Sequence, residues 1–313
     1  MDTAFIFPGQ GSQYIGMMKD FYVRYPHIFN QLFEEAADQL HIDFKKICFN
    51  GSELELTSTD IAQPAILLHS VGIQRLLELE GISPDITTGH SVGQFSALVT
   101  AKALTFSEAV QLVHKRGVFM KNTTERGKML AIVSSQSEIL QEILIDAKKL
   151  GVDIAAINSP LQAVISGLEG KINKIYQELE FKKGVKANFL KVSHAFHSNL
   201  MAEAQINFSD YIKKFRFNTP IIPIILNNTS LPSTEVEEIR KDLIKQCTDT
   251  VFWSATVEQL ISLHLKNIIE VGPKKTLTGL ARSFQMKPKF LPTDSFMAYK
   301  KIVKKGKRGQ FNV

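Results

Sequence analysis

A five-residue segment, Gly89-His90-Ser91-Val92-Gly93, constrains the fold of this chain more than any other part of its sequence. It matches the pattern G-x-S-x-G and lies between a short strand-like segment, 86–88, and a helical-looking segment, 94–100. Glycine on both sides of the serine permits the sharp strand-to-helix turn known as a nucleophile elbow. The segment therefore predicts that Ser91 stands at the carboxyl end of a strand and faces the amide N–H groups of the next helix. On this motif alone, a turn without chemistry remains the alternative.

Strand-like and helix-like segments alternate along most of the chain, which is typical of an α/β body with a parallel sheet. A first apolar strand ends in a glycine-rich turn. Helical periodicity follows over 21–40 and again over 63–80, where Pro64 suits the first turn of the helix. We therefore expect a hydrolase-like α/β body.

The order of elements changes between residues 127 and 192. Three strand-like runs, two amphipathic helices and a further strand follow one another there as β-α-β-β-α-β, which is the ferredoxin-like arrangement. After this segment the earlier alternation of helix and strand resumes. The sequence therefore predicts a discontinuous catalytic body, residues 1–126 and 193–290, interrupted by a small ferredoxin-like domain, residues 127–192.

The formal charge of +6 is concentrated at the end of the chain. Six cations fall within the last fourteen residues: Lys300, Lys301, Lys304, Lys305, Lys307 and Arg308. We predict that residues 291–313 form a solvated basic tail, with a docking strip for an acidic partner as the alternative. The rest of the chain is close to neutral and shows no recognition motif, so we do not expect nucleic-acid binding.

The composition is typical of a water-soluble protein and argues against a membrane span, a disulfide framework and a cysteine metal site. Hydrophobic residues make up 44% and charged residues 22% of the chain, and no apolar run is long enough to span a membrane. The two cysteines, Cys48 and Cys247, make neither a disulfide framework nor a metal site. We therefore expect a cytoplasmic monomer without a bound metal.

A reactive serine needs a general base, and eight histidines are available. His194 and His197 lie where the small domain returns the chain to the body, a position that can place a side chain over the elbow. His90 adjoins the serine in a tight turn that points its ring away, so packing is its expected role. We expect His197 to be the base, with His194 as the alternative.

Several motifs together resemble the malonyl-CoA:acyl-carrier-protein transacylases, a family that includes the acyltransferase domains of fatty acid and polyketide synthases. They occur in the family's order from residue 5 to about residue 280. The motifs are FPGQGSQ (Phe7–Gln13), GHSVG (Gly89–Gly93), Arg116-Gly117, NSPLQAVISG (Asn158–Gly167), HAFHS (His194–Ser198) and EVGP (Glu270–Pro273).

The resemblance implies a role for each part of the catalytic site. Ser91 would carry the acyl group as an ester, and His197 would accept and return its proton. The backbone amides of Gln10 and Val92 would form the oxyanion hole. The main-chain carbonyl of Gln246 would orient the histidine, so that no carboxylate is needed as a third member. No cofactor is implied.

The resemblance also implies a malonyl substrate. Arg116 would bind the malonyl carboxylate with two parallel hydrogen bonds. Phe196 is typical of malonyl-selective members, in which a bulky ring crowds a branch on the α-carbon. Gln63, Met120 and Asn158 are expected to line the same substrate site. The implied reaction is ping-pong transfer of malonyl from malonyl-CoA to the phosphopantetheine thiol of an acyl carrier protein.

The sequence departs from most relatives at two places. Gln94-Phe95 stands where Glu-Tyr is common, and Lys121 stands where glutamine is common. Two other functions remain open: a hydrolase of the same fold that clears acyl groups from carrier proteins, and a non-enzymatic docking subunit. Hydrolytic relatives tend to lack the arginine, so Arg116 favours transfer, and the presence of both Ser91 and His197 argues against a docking subunit.

Overall fold

The computed structural model of the chain describes residues 2–284 and 289–307, and in this part the strands form two separate sheets. The strands are β1 (Thr3–Phe7), β2 (Ile86–Gly89), β3 (Gly127–Ser134), β4 (Asp153–Ser159), β5 (Gln162–Leu168), β6 (Val185–Phe189), β7 (Ile224–Ile225), β8 (Pro232–Ser233), β9 (Asn267–Glu270) and β10 (Phe290–Pro292).

The larger sheet has the strand order β10-β9-β1-β2-β7-β8 and is parallel except for β8, which runs antiparallel to β7. Its inner strands are buried on both faces: in β1, Phe5 and Phe7 join one apolar cluster while Ala4 and Ile6 join another. Continuous apolar strands are expected in a parallel sheet covered by helices. The carboxyl ends of β1, β2 and β7 therefore meet at one edge, where ligands bind in such folds.

Helices cover both sheets. They are α1 (Lys19–Tyr22), α2 (Pro26–Leu40), α3 (Phe44–Asn50), α4 (Glu53–Thr57), α5 (Thr59–Leu79), α6 (Gly93–Thr100), α7 (Phe106–Lys121), α8 (Ser137–Lys149), α9 (Glu169–Leu179), α10 (Ala202–Ile212), α11 (Val236–Lys245), α12 (Trp253–Ser262), α13 (Thr276–Leu280) and α14 (Phe296–Lys307), with 3-10 turns at Asn199–Met201 and Ala281–Ser283. The helix predicted over 21–40 is in fact two, because Pro26 lacks an N–H and begins α2.

The expectation that Pro64 lies in a first helical turn is wrong. Helix α5 begins earlier, at Thr59, and contains Pro64 in its interior. Pro64 has no N–H for the carbonyl of Asp60, and the ring of His114 on α7 takes that place, with Nδ1 3.0 Å from the Asp60 oxygen. A contact between two helices thus makes an interior proline tolerable.

The smaller sheet is antiparallel, with the order β4-β5-β3-β6. Together with α8 and α9 it gives the β-α-β-β-α-β order expected of a ferredoxin-like domain. Its strands pack against both helices through a core of their own that includes Leu130, Ile165 and Ile172. A bridge between Ala156 and Val251 ties this sheet to the body.

The prediction of a solvated tail is wrong for residues 290–307, which form β10 and α14. Strand β10 extends the large sheet at its edge, and α14 buries Tyr299 and Ile302 in the main apolar cluster. The Tyr299 hydroxyl also donates to the Leu76 carbonyl at 3.2 Å. The lysines that suggested a tail alternate with apolar residues at helical spacing, so one face of α14 packs on the body. Residues 308–313 lie outside the described part of the chain.

Residues 2–284 and 289–307 contain neither a membrane-spanning helix nor a cluster of side chains suited to a metal ion. None of their helices is both long and apolar enough to cross a membrane. Their histidine, cysteine, aspartate and glutamate side chains form no group of three or more that could hold a metal ion.

Candidate active site

Ser91 lies in a sharp turn between β2 and α6. Its φ angle is 52°, in the left-handed region that residues with a side chain rarely adopt. Both flanking glycines are sterically required, since a Cβ on Gly89 would lie 2.0 Å from the Gly93 carbonyl carbon and one on Gly93 would lie 2.2 Å from the Phe7 oxygen. The predicted nucleophile elbow is therefore present, and it is packed against the end of β1.

The imidazole of His197 connects the serine to a main-chain carbonyl. Its Nε2 lies 2.9 Å from Ser91 Oγ, and its Nδ1 lies 2.6 Å from the Gln246 oxygen. A carbonyl only accepts, so Nδ1 carries the hydrogen and Nε2 presents a lone pair to the serine hydroxyl. The structure thus brings Ser91, His197 and the backbone of Gln246 together in the order that the resemblance implied.

The histidine is held as a neutral base. Burial is the main cause that lowers the pKa of His197 to about 3, and the positive charge of Arg116 lowers it further. The φ angle of His197 is 55°, so both members of the pair have left-handed backbone conformations. Strained positions of this kind persist where the surrounding structure enforces them, and they cluster at active sites.

The other candidate histidines contact different groups. His194, the alternative base, lies 2.7 Å from Ser193 Oγ through its Nδ1 and stacks on Phe196. His90 is half-buried against Trp253, and its Nε2 lies 2.9 Å from Asn158 Oδ1. His197 is therefore the histidine that reaches the serine.

Arg116 is a buried cation that meets only neutral acceptors. It is 1% exposed and projects from α7 to the serine, with Nη2 3.2 Å from Ser91 Oγ. The same Nη2 donates to Gln246 Oε1 at 3.0 Å, and Nη1 donates to Gln63 Oε1 at 2.8 Å. Within the described residues it forms no salt bridge, and its Nε has no hydrogen-bond partner. Burial lowers the pKa of this guanidinium, as expected for a charge held away from water without a counter-ion.

The two residues expected to form the oxyanion hole, Gln10 and Val92, both follow strands at the carboxyl edge of the large sheet. Gln10 lies in the turn after β1, and Val92 is the N-cap residue that immediately precedes α6. The His90 N–H donates to the Phe7 carbonyl at 2.9 Å, which holds the two turns side by side. Within residues 2–284 and 289–307, neither the Gln10 nor the Val92 N–H donates a hydrogen bond. These two donors are available for an oxyanion.

The remaining predicted residues divide into two groups. Gln63 and Met120 adjoin Arg116: the Gln63 oxygen accepts from the guanidinium, and its Nε2 lies 3.7 Å from Met120 Sδ. Phe196 is buried next to His197 and belongs to the same apolar cluster as Met120. Asn158 instead contacts His90, the residue that precedes the serine.

Two residues that support the serine turn, Asn227 and Asp242, belong to none of the sequence motifs. Asn227, just after β7, accepts from the Ser91 N–H at 2.8 Å and donates to the Gly89 carbonyl at 2.8 Å, so it holds the strained turn. Asp242 on α11 accepts from the Asn227 N–H at 3.1 Å and from Gln94 Nε2 at 2.8 Å. The only sequence signal is weak: Asn227 is a polar residue directly after a buried parallel strand.

The site places a buried serine hydroxyl between a neutral imidazole and a guanidinium, at the carboxyl edge of a parallel sheet. This arrangement is typical of α/β enzymes that carry acyl groups on serine. The sequence profile of the acyl transferase domain family matches residues 4–285. A malonyl CoA-acyl carrier protein transacylase of Bacillus subtilis (strain 168) is 37% identical over 284 residues, which cover 89% of each chain.

Solved structures agree with the sequence comparison. A malonyl CoA-acyl carrier protein transacylase of Clostridium perfringens ATCC 13124 superimposes with a TM-score of 0.91 at 29% identity, covering 99% of this chain and 98% of the other. A malonyl-transacylase in complex with the holo form of its type II polyketide acyl carrier protein gives a TM-score of 0.90 at 30% identity, covering 97% and 99%. The chain belongs to the malonyl CoA-acyl carrier protein transacylase family and is an acyltransferase, which confirms the predicted fold class and resemblance.

Proposed function

We propose that this enzyme transfers a malonyl group from malonyl-CoA to the phosphopantetheine thiol of an acyl carrier protein. The observation that carries the proposal is the buried Arg116 guanidinium, which lies beside the Ser91 hydroxyl and forms no salt bridge within the described residues. A buried charge without a partner is costly, and an acyl group that ends in a carboxylate supplies that partner. Acyl groups without a charge offer nothing comparable.

Acylation of Ser91 is the first half of the reaction. The carboxylate binds Arg116, and the serine oxygen attacks the thioester carbonyl while its proton passes to His197 Nε2. The amides of Gln10 and Val92 stabilise the oxyanion. The carbon–sulfur bond then breaks, and CoA leaves with the proton from His197. Because the malonyl carboxylate offsets the charge of Arg116, one cause of the low His197 pKa is removed when substrate binds.

Transfer to the carrier protein reverses these steps. The phosphopantetheine thiol gives its proton to His197, and its sulfur attacks the ester carbonyl. The bond between that carbon and Ser91 Oγ then breaks, and His197 returns the proton to the serine oxygen. If water enters instead of the thiol, the same groups perform hydrolysis, which is the alternative function.

A product analysis separates transfer from hydrolysis. The enzyme is mixed with malonyl-CoA and holo acyl carrier protein, and malonyl-carrier and free malonate are both measured by mass spectrometry. We expect malonyl-carrier as the main product, and none with the apo carrier protein, which lacks the thiol. Release of malonate without any malonyl-carrier would identify the enzyme as a hydrolase.

A further inference from the structure

The buried carboxylate of Asp242 is connected to the active site by a chain of hydrogen-bonded side-chain amides. Asp242 is 4% exposed, and three N–H donors converge on it. The backbone amides of Asn227 and Asn228 donate at 3.1 and 2.9 Å, and Gln94 Nε2 donates at 2.8 Å. Both oxygens of this carboxylate therefore accept hydrogen bonds, one on Oδ1 and two on Oδ2.

The chain of hydrogen bonds continues from Gln94 to the arginine. Gln94 Oε1 accepts from Gln246 Nε2 at 2.6 Å, and Gln246 Oε1 accepts from Arg116 Nη2 at 3.0 Å. Gln94 and Gln246 are both completely buried. The chain of hydrogen bonds thus runs from Asp242 through two amides to the guanidinium beside Ser91.

Only one direction of this chain satisfies every group. The carboxylate of Asp242 can only accept and the guanidinium of Arg116 can only donate. Each amide between them must therefore turn its NH2 group towards Asp242 and its oxygen towards Arg116. If Gln246 were reversed, its NH2 group would face the guanidinium and two donors would meet in a buried site. Asp242 fixes the orientation of Gln94, and Gln94 fixes that of Gln246.

We propose that Asp242 and Gln94 are positioning residues for the carboxylate-binding arginine. They hold the Gln246 side-chain oxygen against Arg116, which keeps the guanidinium aligned with Ser91 before any substrate is bound. Preorganisation of this kind strengthens binding because less freedom is lost when the carboxylate arrives. The role rests on the proposed function, since it concerns the binding of an acyl carboxylate.

The test compares a charged with an uncharged acyl donor. Acyl-enzyme formation is measured with malonyl-CoA and with acetyl-CoA, and the ratio of the two kcat/KM values is compared between variants. We expect Gln94→Met to lower this ratio about tenfold, while the acetyl value stays within about twofold, because only the malonyl group uses the guanidinium. Gln94→Asn, which is too short to reach Gln246 but keeps a polar amide, should lower the ratio in the same way.

A conservative variant serves as the matched control. Gln94→Glu keeps an acceptor towards Gln246 and can share one proton with Asp242, so its ratio should stay within about threefold of wild type at pH 6. An equal loss with both donors, or an unchanged ratio in Gln94→Met and Gln94→Asn, would overturn the positioning role while the proposed function stands. A wild-type enzyme that forms no malonyl ester would overturn both.

Discussion

At the scale of single residues, the chemistry depends on which groups of the site are charged. His197 is buried, and its neighbours include the Arg116 guanidinium, so the imidazole stays neutral where an exposed one would titrate. Its partner on the far side is a main-chain carbonyl at 2.6 Å, which fixes the ring without adding a negative charge. The site is thus a neutral base beside a fixed positive charge, which suits an anionic substrate.

The low pKa of His197 gives a prediction for pH dependence. The kcat/KM of acyl-enzyme formation reports the ionisation of the free enzyme, in which this pKa is about 3. We therefore expect log kcat/KM with malonyl-CoA to stay level as pH falls from 8 to 5, where an ordinary histidine with a pKa of about 6.5 would lose activity. Circular dichroism at each pH confirms that the enzyme is folded. A downward break near pH 6.5 would contradict the assignment.

Arg116 gives a prediction for substrate choice. Arg116→Ala removes two charge-assisted hydrogen bonds to the malonyl carboxylate, worth roughly 3 kcal/mol, so kcat/KM for malonyl-CoA should fall by about 100-fold. The value for acetyl-CoA should be kept or increased, because the buried cation no longer opposes an apolar group.

The control for this prediction is the exposed arginine Arg216. Arg216→Ala removes the same charge from the surface and should change neither value by more than about twofold. If Arg116→Ala kept the malonyl preference of wild type, the guanidinium would not be the carboxylate-binding group.

Motifs in the sequence are sufficient to identify the residues that perform the chemistry but not those that support them. Ser91 is identified by the G-x-S-x-G pattern, in which the sharp turn requires glycines. His197 is identified because the serine needs a base, and Arg116 because a malonyl carboxylate needs a cation. Asn227 lies 136 residues from its partner Ser91 in the elbow turn. Asp242 lies 148 residues from its partner Gln94 in α6. No local pattern records a contact over such separations, because the fold creates it.

At the scale of elements, the crossing of α5 and α7 positions the proposed carboxylate-binding group, the Arg116 guanidinium. Gln63 is on α5 and Arg116 is on α7, so the two helices must keep their relative placement. The crossing includes the Asp60 carbonyl, which Pro64 cannot satisfy and which His114 contacts. Helical periodicity over 63–80 predicts most of α5 from sequence, but it cannot show that a side chain of a neighbouring helix replaces the N–H that Pro64 lacks.

A double-mutant cycle tests this substitution of donors. His114→Leu leaves the Asp60 carbonyl without its donor and should lower the free energy of unfolding by about 1 kcal/mol. In a Pro64→Ala background the alanine N–H can bond to that carbonyl, so the same change at His114 should cost less than about half as much. Urea unfolding measures both values. Equal losses in the two backgrounds would show that the Asp60 carbonyl does not depend on His114.

At the scale of the whole molecule, the last element is part of the body. Tyr299 and Ile302 on α14 pack into the main apolar cluster, and β10 completes the edge of the large sheet. The lysines dominate the local composition of residues 300–308, and composition alone therefore predicts a solvated tail. The helical spacing of the few apolar residues between these lysines instead predicts an amphipathic helix. Such a helix is stable here because the body provides a surface on which its apolar face packs.

Truncation of one apolar side chain tests this placement. Ile302→Ala removes a side chain that is 2% exposed and should lower the free energy of unfolding by about 2–5 kcal/mol. Lys301→Ala, at the adjacent exposed position, should change it by less than about 0.5 kcal/mol. Denaturant unfolding of the two variants compares them directly. Similar small effects in both would mean that α14 is solvated.

The proposed mechanism depends on a covalent malonyl ester at Ser91, and intact-mass spectrometry of the enzyme after mixing with malonyl-CoA measures that ester directly. We predict that the wild-type protein gains the mass of one malonyl group, that peptide mapping places the group on Ser91, and that Ser91→Ala gains nothing. An unmodified wild-type enzyme that nevertheless produces malonyl-carrier, or a malonyl adduct that persists in Ser91→Ala, would contradict the account.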